Sequence, residues 1–477
     1  MNDPLATNPP ESQAPRPLAE TFASLPPDWP DDPLPAVRTA IKRLNQKVVV
    51  LDDDPTGTQT VHDVPVLTEW STPALTAEFR DPCPAVFVLT NSRSLTASAA
   101  RACNLEIGRH LAAASARTGR PYVVASRSDS TLRGHFPTET DALAAASGKA
   151  VDAVLIVPAF MAGGRYTIAD THYVAEGDQL IPAGQTPFAR DATFGYAASN
   201  LRAWVSEKTG GQVRPEAVTA ISLDEIRLGG PDRVTERLLT MKDQTYCVIN
   251  AVNERDLSVV ALGVVQAEAQ GKVLLYRTAA SFAAARAGIA LRPLLTAADM
   301  NLTSSGGGLV VVGSYVPKSS QQLEHLLKQP DIAGIEVHVQ RLLDDASAEI
   351  ARVIEAVDTR LRLHQNVVIF TSRGLITGAD ADSSLAIGNR VSAGLVAIVQ
   401  GLHETPRFLI AKGGITSSDL ATKALGVRRA LVMGQILPGV PVWQLGAESR
   451  QPGMAYVVFP GNVGGPDALA AVVDKFR

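Results

Sequence analysis

The stretch Lys47-Val48-Val49-Val50-Leu51-Asp52-Asp53-Asp54-Pro55-Thr56-Gly57-Thr58-Gln59-Thr60 decides the fold class. It opens with a short β-branched and aliphatic run, the composition of a strand. The chain then passes directly into carboxylates, proline, glycine and hydroxyls, the composition of a loop. The same unit recurs downstream: strands are expected at 85–90, 122–126 and 153–158, with alanine-rich helices at 96–118 and 139–147 between them. Short strands alternating with helices form βαβ units around a mainly parallel sheet, so an α/β class follows. The rhythm breaks at 163–193, a stretch with proline, glycine and tyrosine that is too long for an ordinary connection and reads as a lid or interface arm.

A second break lies at 297–308, where Asn301, Thr303, Ser304, Ser305 and three glycines separate two periodic regions. Beyond it, strands are expected at 309–312, 335–339, 366–371, 407–411 and 430–433. The chain therefore divides into an N-terminal domain at 41–297 and a C-terminal domain at 298–477, two α/β domains with the active site expected in the cleft between them. The length of 477 residues is compatible with two large domains or three of about 150 residues.

Ten of the 31 prolines fall within residues 1–35, together with six acids and one arginine. That composition has no apolar period, and residues 1–40 read as an extended, flexible leader. It lacks the basic start and apolar centre of a secretion signal, and no later apolar run approaches the roughly 18 residues of a membrane span. Cys83, Cys103 and Cys247 form no CxxC pair, so neither a disulfide framework nor a zinc knuckle is indicated and a cytoplasmic location is expected. Lysine and arginine number 44 against 48 acids, a net charge of −4, and aromatics are 5% of residues. Nothing in that balance calls for nucleic acid or a membrane surface; the ligand is expected to be a small molecule.

Three polar loops carry the chemistry of the first half. In open parallel sheets, ligands bind beyond the carboxyl ends of strands, and Asp52, Asp53 and Asp54 sit there. Adjacent carboxylates repel one another and resist burial, so hydroxyls, cations or backbone donors must satisfy them; the bland alternative is a helix cap or a solvated turn. The loops Thr90-Asn91-Ser92-Arg93-Ser94 and Ser126-Arg127-Ser128-Asp129-Ser130-Thr131-Leu132-Arg133-Gly134-His135 both set arginine among hydroxyls. Each arginine alone reads as a structural ion pair, but three such loops together look like a hydroxy-acid site, with guanidinium forks for a carboxylate and Asp, Asn, Ser and Thr for hydroxyls. His62, His135 and His172 lack metal-site spacing, and no GxSxG elbow is present.

In the second half, phosphate recognition needs backbone N–H groups that approach oxygen closely. Gly313-Ser314, Lys412-Gly413-Gly414-Ile415-Thr416-Ser417-Ser418-Asp419, and Gly461-Asn462-Val463-Gly464-Gly465 each lie between a strand and a helix, and Thr416 and Asp419 have the spacing of a capping box. Each alone is equally explained by close packing or turn geometry. There is no Walker loop and no GxGxxG fingerprint, so a nucleotide site would be built from separate loops.

Taken in order, 52–60, 91–94, 127–134, 313–314, 412–419 and 461–465 resemble the four-carbon acid sugar kinase family over nearly the whole chain after the leader. The resemblance implies an N-terminal domain that binds a sugar acid such as threonate, erythronate or a 3-oxo-tetronate, and a C-terminal domain that binds ATP with Mg²⁺. Carried over by position, Asp53, Asp54, Arg93, Arg127, Asp129 and Ser130 would hold the sugar acid, and Asp53 or Asp129 would be the catalytic base. Ser314, Gly413, Gly414, Ile415, Thr416 and Gly461 would hold the nucleotide. The chain departs from many relatives at Ile415, where they carry an acid; Asp419 is the candidate substitute, and no metal ligand is assigned. The expected partners are a sugar acid and ATP, with a homo-oligomer compatible. A sugar-acid lyase or dehydratase would use the first half's acids without nucleotide, and a binding protein would keep the pocket without turnover.

Overall fold

The computed structural model describes residues 14–300, 302, 306–314, 316–374, 381–461 and 463–477. Residues 1–13 of the leader, Asn301, Thr303, Ser304 and Ser305 of the linker, and Asn462 of the last glycine loop lie outside the described residues. The chain forms two compact units, one from residues 1–53 and 92–288, the other from 54–91 and 289–477.

In the first unit six parallel strands run in the order Thr219–Ile221, Thr245–Ile249, Ala153–Val157, Leu274–Thr278, Tyr122–Arg127 and Lys47–Asp52. Strands such as Lys47–Asp52 and Ala153–Val157 are buried at every residue, as expected of a parallel sheet covered on both faces. The connecting helices have well-defined ends. Ala97–Thr118 is capped by the Thr96 hydroxyl on the Ala99 N–H (3.3 Å) and stops at Gly119 in left-handed geometry. Glu254–Ala269 opens on a capping box between Asn253 and Asp256. Because the strands are parallel, their polar carboxyl ends emerge on one side, and the register sets Asp52 beside Arg127.

The 163–193 stretch is an antiparallel meander of Arg165–Ile168, Thr171–Glu176 and Gln179–Pro182, followed by short 3-10 turns. The expectation of a flexible leader does not hold for the described residues from 14 onward. Arg16–Pro17 adds a fourth strand beside Gln179 and Leu180. Leu18, Phe22 and Leu25 then pack on a cluster of Ile168, Tyr173, Leu180, Leu223 and Val252. The Arg227 guanidinium, buried against Asp256 (2.8 Å), also donates to the Pro26 carbonyl (2.7 Å) and meets Asp28 (2.9 Å). Helix Leu34–Leu44 buries Val37 and Ile41. Apolar residues spaced among the prolines dock the segment, a pattern too sparse to show as a period.

The second unit carries the strand order Ala85–Leu89, Val64–Leu67, Arg429–Leu437, Val440–Leu445, Ala455–Phe459, Phe408–Lys412, Leu309–Val312, Asn366–Thr371 and Ile332–Val337. The last five are parallel and the Arg429–Leu437 and Val440–Leu445 hairpin is antiparallel to its neighbours. Residues 54–91 pack in this unit, whereas the sequence groups them with 41–297. The reason is pairing: Val64–Leu67 lies antiparallel to Arg429–Leu437, the Trp443 indole N–H donates to Thr58 Oγ1 (3.0 Å), and Arg429 meets Glu78 (2.6 Å). Hydrophobic periodicity marks a strand but not its partner. Val310, Val312, Ile410, Val457 and Phe459 anchor the core beneath the strand ends.

Candidate functional site

In the first unit the acidic loop is satisfied largely by arginine. Asp52 is buried and pairs with the Arg127 guanidinium (3.1 Å), itself buried. Asp53, 2% exposed, takes both prongs of Arg93, Nε on Oδ2 (3.0 Å) and Nη2 on Oδ1, and the Ser128 hydroxyl reaches Oδ2 at 2.7 Å. The Arg93 backbone N–H adds a bond to the Asp53 carbonyl (3.2 Å). A Cβ at residue 134 would lie 2.2 Å from Ser128 Oγ and 3.2 Å from Asp53 Oδ2, so glycine there lets the loop close over this pair. Asp54, in the second unit, accepts the Thr56 N–H (2.8 Å) and hydroxyl in a local turn.

Asp129 receives Arg133 Nε (2.7 Å) and the Thr131 hydroxyl on Oδ2. Burial alone would raise its carboxyl. The charges of Arg93 and Arg133, with those two hydrogen bonds, outweigh burial and hold it well below the usual carboxylate range. Its Oδ1 accepts no hydrogen bond among the described residues, and its side chain is 14% exposed against 3% for Asp53. Asp129 thus keeps an oxygen that Asp53 does not.

Of the groups that hold this loop, the sequence named His135 and His172 without assigning either a role there. Arg277, fully buried in its strand, donates to the carbonyls of Asp129 and Arg133 (both 3.0 Å) and lies over the Trp204 ring; burial lowers its pKa to about 10. His172 donates from Nε2 to the Ser130 carbonyl (2.7 Å) and is pushed down to about 4 by burial. The Tyr196 hydroxyl bonds the Thr131 carbonyl (2.7 Å). His135 bonds the Leu95 carbonyl (3.0 Å). Both histidines therefore bind backbone. Behind Arg93, Glu139 accepts the Ser92 hydroxyl, and burial followed by the Asp53 charge pushes its carboxyl up to about 7. A buried arginine within an apolar strand was the one sequence signal for Arg277; Glu139 sits at a helix start, where acids are commonplace.

In the second unit the three glycine loops converge. The Ser319 hydroxyl spans Ser314 Oγ (3.1 Å) and the Gly461 carbonyl (3.2 Å). Gly413 has φ of +117°, and a Cβ on it would lie 3.2 Å from Ser314 Cβ and 3.4 Å from Thr416 Oγ1. The buried Lys412 ammonium donates to the carbonyls of Pro460 (2.6 Å) and Gly461 (3.3 Å) over the Phe459 ring; burial, then the Lys318 charge, lowers it to about 7. A fourth strand end joins them, unforeseen from sequence: Arg373 Nη2 donates to the Ser314 carbonyl (2.7 Å) and Ser320 Oγ (2.8 Å), and its buried Nη1 has no partner among the described residues. The helix Gly414–Asp419 begins after Gly413 with no side-chain cap, so Thr416 and Asp419 do not form the expected box. Asp419 is instead held by Ser392 and Lys423, and Ile415 is 69% exposed.

Among the described residues no group of three or more His, Cys, Asp or Glu could hold a metal ion, and no helix is long and apolar enough to cross a membrane. Residues 48–286 match a family model described as a sugar-binding N-terminal domain, and residues 309–469 one described as a nucleotide-binding C-terminal domain. The chain is 27% identical over 364 residues to a 3-oxo-tetronate kinase of Pectobacterium atrosepticum, covering 73% of this chain and 79% of the relative. It is 26% identical over 387 residues to a D-threonate kinase of Cupriavidus necator, covering 80% and 84%. A D-erythronate kinase of Heliobacterium modesticaldum is 28% identical over 375 residues, covering 74% and 80%. Solved structures from Salmonella typhimurium (TM-score 0.67, 19% identity, 91% of this chain and 99% of that one) and Haemophilus influenzae (TM-score 0.62, 17% identity, 90% and 100%) share the fold.

Proposed function

The chain belongs to the four-carbon acid sugar kinase family, and from that premise we propose that it transfers the γ-phosphoryl group of ATP to a hydroxyl of a threonate-, erythronate- or 3-oxo-tetronate-type acid. The N-terminal region holds the acid and the C-terminal region the nucleotide, in the cytoplasm, in the service of sugar-acid catabolism. The observation that carries this reading is the convergence of Ser314, Gly413, Thr416 and Gly461 at neighbouring parallel strand ends, where backbone and hydroxyl groups crowd as a phosphate chain requires.

Phosphoryl transfer asks a protein for positioning and charge neutralisation more than for covalent help. The glycine-loop amides and the Ser314 and Thr416 hydroxyls bind the phosphates. Arg373, with its spare Nη1, adds a cation beside Ser314. A Mg²⁺ ion brought with the nucleotide would neutralise phosphate charge, and no protein ligand is assigned to it. Asp129 accepts the proton of the attacking hydroxyl at its uncommitted Oδ1. Being held ionised, it is always ready, and its weak basicity costs little in a loose transition state. Asp53, saturated by Arg93 and Ser128, fixes the Arg93 fork, while Ser130 and Arg93 contact the acid's hydroxyls.

An ADP-release assay across threonate, erythronate and their 3-oxo forms with Mg·ATP tests the reading. Turnover of at least one acid is expected. No ADP with any acid, alongside a melting temperature that still rises with a sugar acid, would leave a binding protein instead.

A further inference from the structure

The arginines that surround Asp129 differ in what they are bound to. Arg93 is forked onto Asp53, and Arg127 is buried against Asp52. Arg133 is shared between Asp129 (2.7 Å) and Asp191 (3.6 Å). Arg277 is spent on two backbone carbonyls. Arg165, the first residue of the meander, shares a buried, unpartnered Nε with Arg127 and Arg277, but unlike them its side chain makes no ion pair and no hydrogen bond among the described residues. Its guanidinium carbon lies 5.6 Å from the centre of the Phe188 ring, the ring that also carries Arg133 at 5.2 Å. The charges that act on it include those of Asp129 and Arg133, from the loop that holds the candidate base, and of Glu176 in the meander, none of them in ion-pair contact with it.

A partly buried guanidinium left without a counter-ion is costly unless a ligand supplies one. Stacking on Phe188 fixes the plane of the fork before any ligand arrives, and a preset fork is matched by a carboxylate taken bidentately. We propose that Arg165 reads the carboxylate of the substrate, the role that the sequence alone assigned to Arg93 and Arg127. The inference rests on the sugar-acid reading above. It also gives the 163–193 stretch its purpose: the meander brings to the site the charge that separates a sugar acid from a neutral polyol of the same length.

The test uses the full chain with Arg165→Gln and Arg165→Met, the second keeping an apolar stem against Phe188. ADP release is measured with four-carbon acids and with the neutral four-carbon polyols, and nucleotide binding is followed by the shift in melting temperature with Mg·ATP. For either folded variant KM for the acid should rise by roughly 30-fold or more, the size of one lost charge-assisted pair. The preference for acid over polyol should collapse, with the nucleotide shift unchanged. If the wild type turns over an acid and both variants keep its KM within about threefold, Arg165 does not read the carboxylate and the kinase reading stands. If the wild type neither turns over nor is stabilised by any four-carbon acid, the underlying reading fails and this proposal falls with it.

Discussion

On the proposed reading, the charged loops of the first unit and the glycine loops of the second would answer the same problem, holding an anion, by opposite means. The first uses side chains and neutralises most of them internally: Asp52 with Arg127, Asp53 with Arg93, Asp129 with Arg133. The second uses backbone approach and leaves its cations poorly compensated, with Lys412 on carbonyls and Arg373 with a spare Nη1. Internal pairing gives each of these charged groups of the first unit one fixed neighbour.

The sharpest way to break this contrast is Asp129→Asn. It removes a carboxylate whose Oδ1 accepts no hydrogen bond among the described residues, and kcat should fall by about 10²- to 10⁴-fold while the nucleotide-induced melting shift persists. Turnover at the wild-type level would remove Asp129 from the mechanism. Next in size is removal of residues 1–30, which strips half-buried Leu18, Phe22 and Leu25 from the first unit alone. At about 1 kcal/mol each the loss is about 3 kcal/mol, and the melting temperature of that unit should drop by roughly 5–12 °C with nucleotide binding intact. An unchanged melting curve would show that the segment adds nothing.

Gly413→Ala acts on the other side of the contrast. A side chain at φ of +117° is strained, and its Cβ crowds Ser314. A cost of about 1–2 kcal/mol should weaken nucleotide binding roughly 5- to 30-fold in titration calorimetry and leave sugar-acid binding alone. Equal weakening of both ligands would mean the loop is structural.

The pH dependence of stability is the most discriminating test, because both units bury groups displaced from their ordinary pKa. Glu139 binds its proton more tightly folded than unfolded, with a carboxyl pushed from 4.5 to about 7, so it takes stability away as pH rises through that window. His172, lowered from 6.5 to about 4, adds stability as pH rises between those values. Lys412, lowered from 10.5 to about 7, adds stability as pH rises from about 7 to 10.5. Denaturant melts against pH should therefore show Glu139→Gln gaining on the wild type between pH 5 and 7, and Lys412→Met losing the alkaline rise. Parallel curves for variant and wild type would contradict the assignment.

Much of this was legible in the chain before folding was considered. Strands at 309–312 and 366–371 coincide with Leu309–Val312 and Asn366–Thr371, and those near Lys47, Ala85, Tyr122 and Ala153 differ by a residue at one end. Buried parallel strands are short apolar runs, so composition marks them. Less visible was the strand at Ile332–Val337, expected three residues later, because this sheet-edge strand is only partly buried and its apolar signal is dilute.

What the sequence by itself determined is the α/β class, the alternation of strand and helix, and which loops at the strand ends carry charge and glycine; these are local properties, set by side-chain period and turn chemistry over ten or so residues. Only the tertiary structure decided that residues 54–91 pack with the second unit, that the proline-rich segment from 16 onward is docked, that Asp52 pairs with Arg127, and that Arg165 makes no ion pair among the described residues. Each of those is a pairing between residues far apart in the chain. A charge advertises itself in sequence, but whether it is free to meet a ligand depends on which neighbour reaches it first.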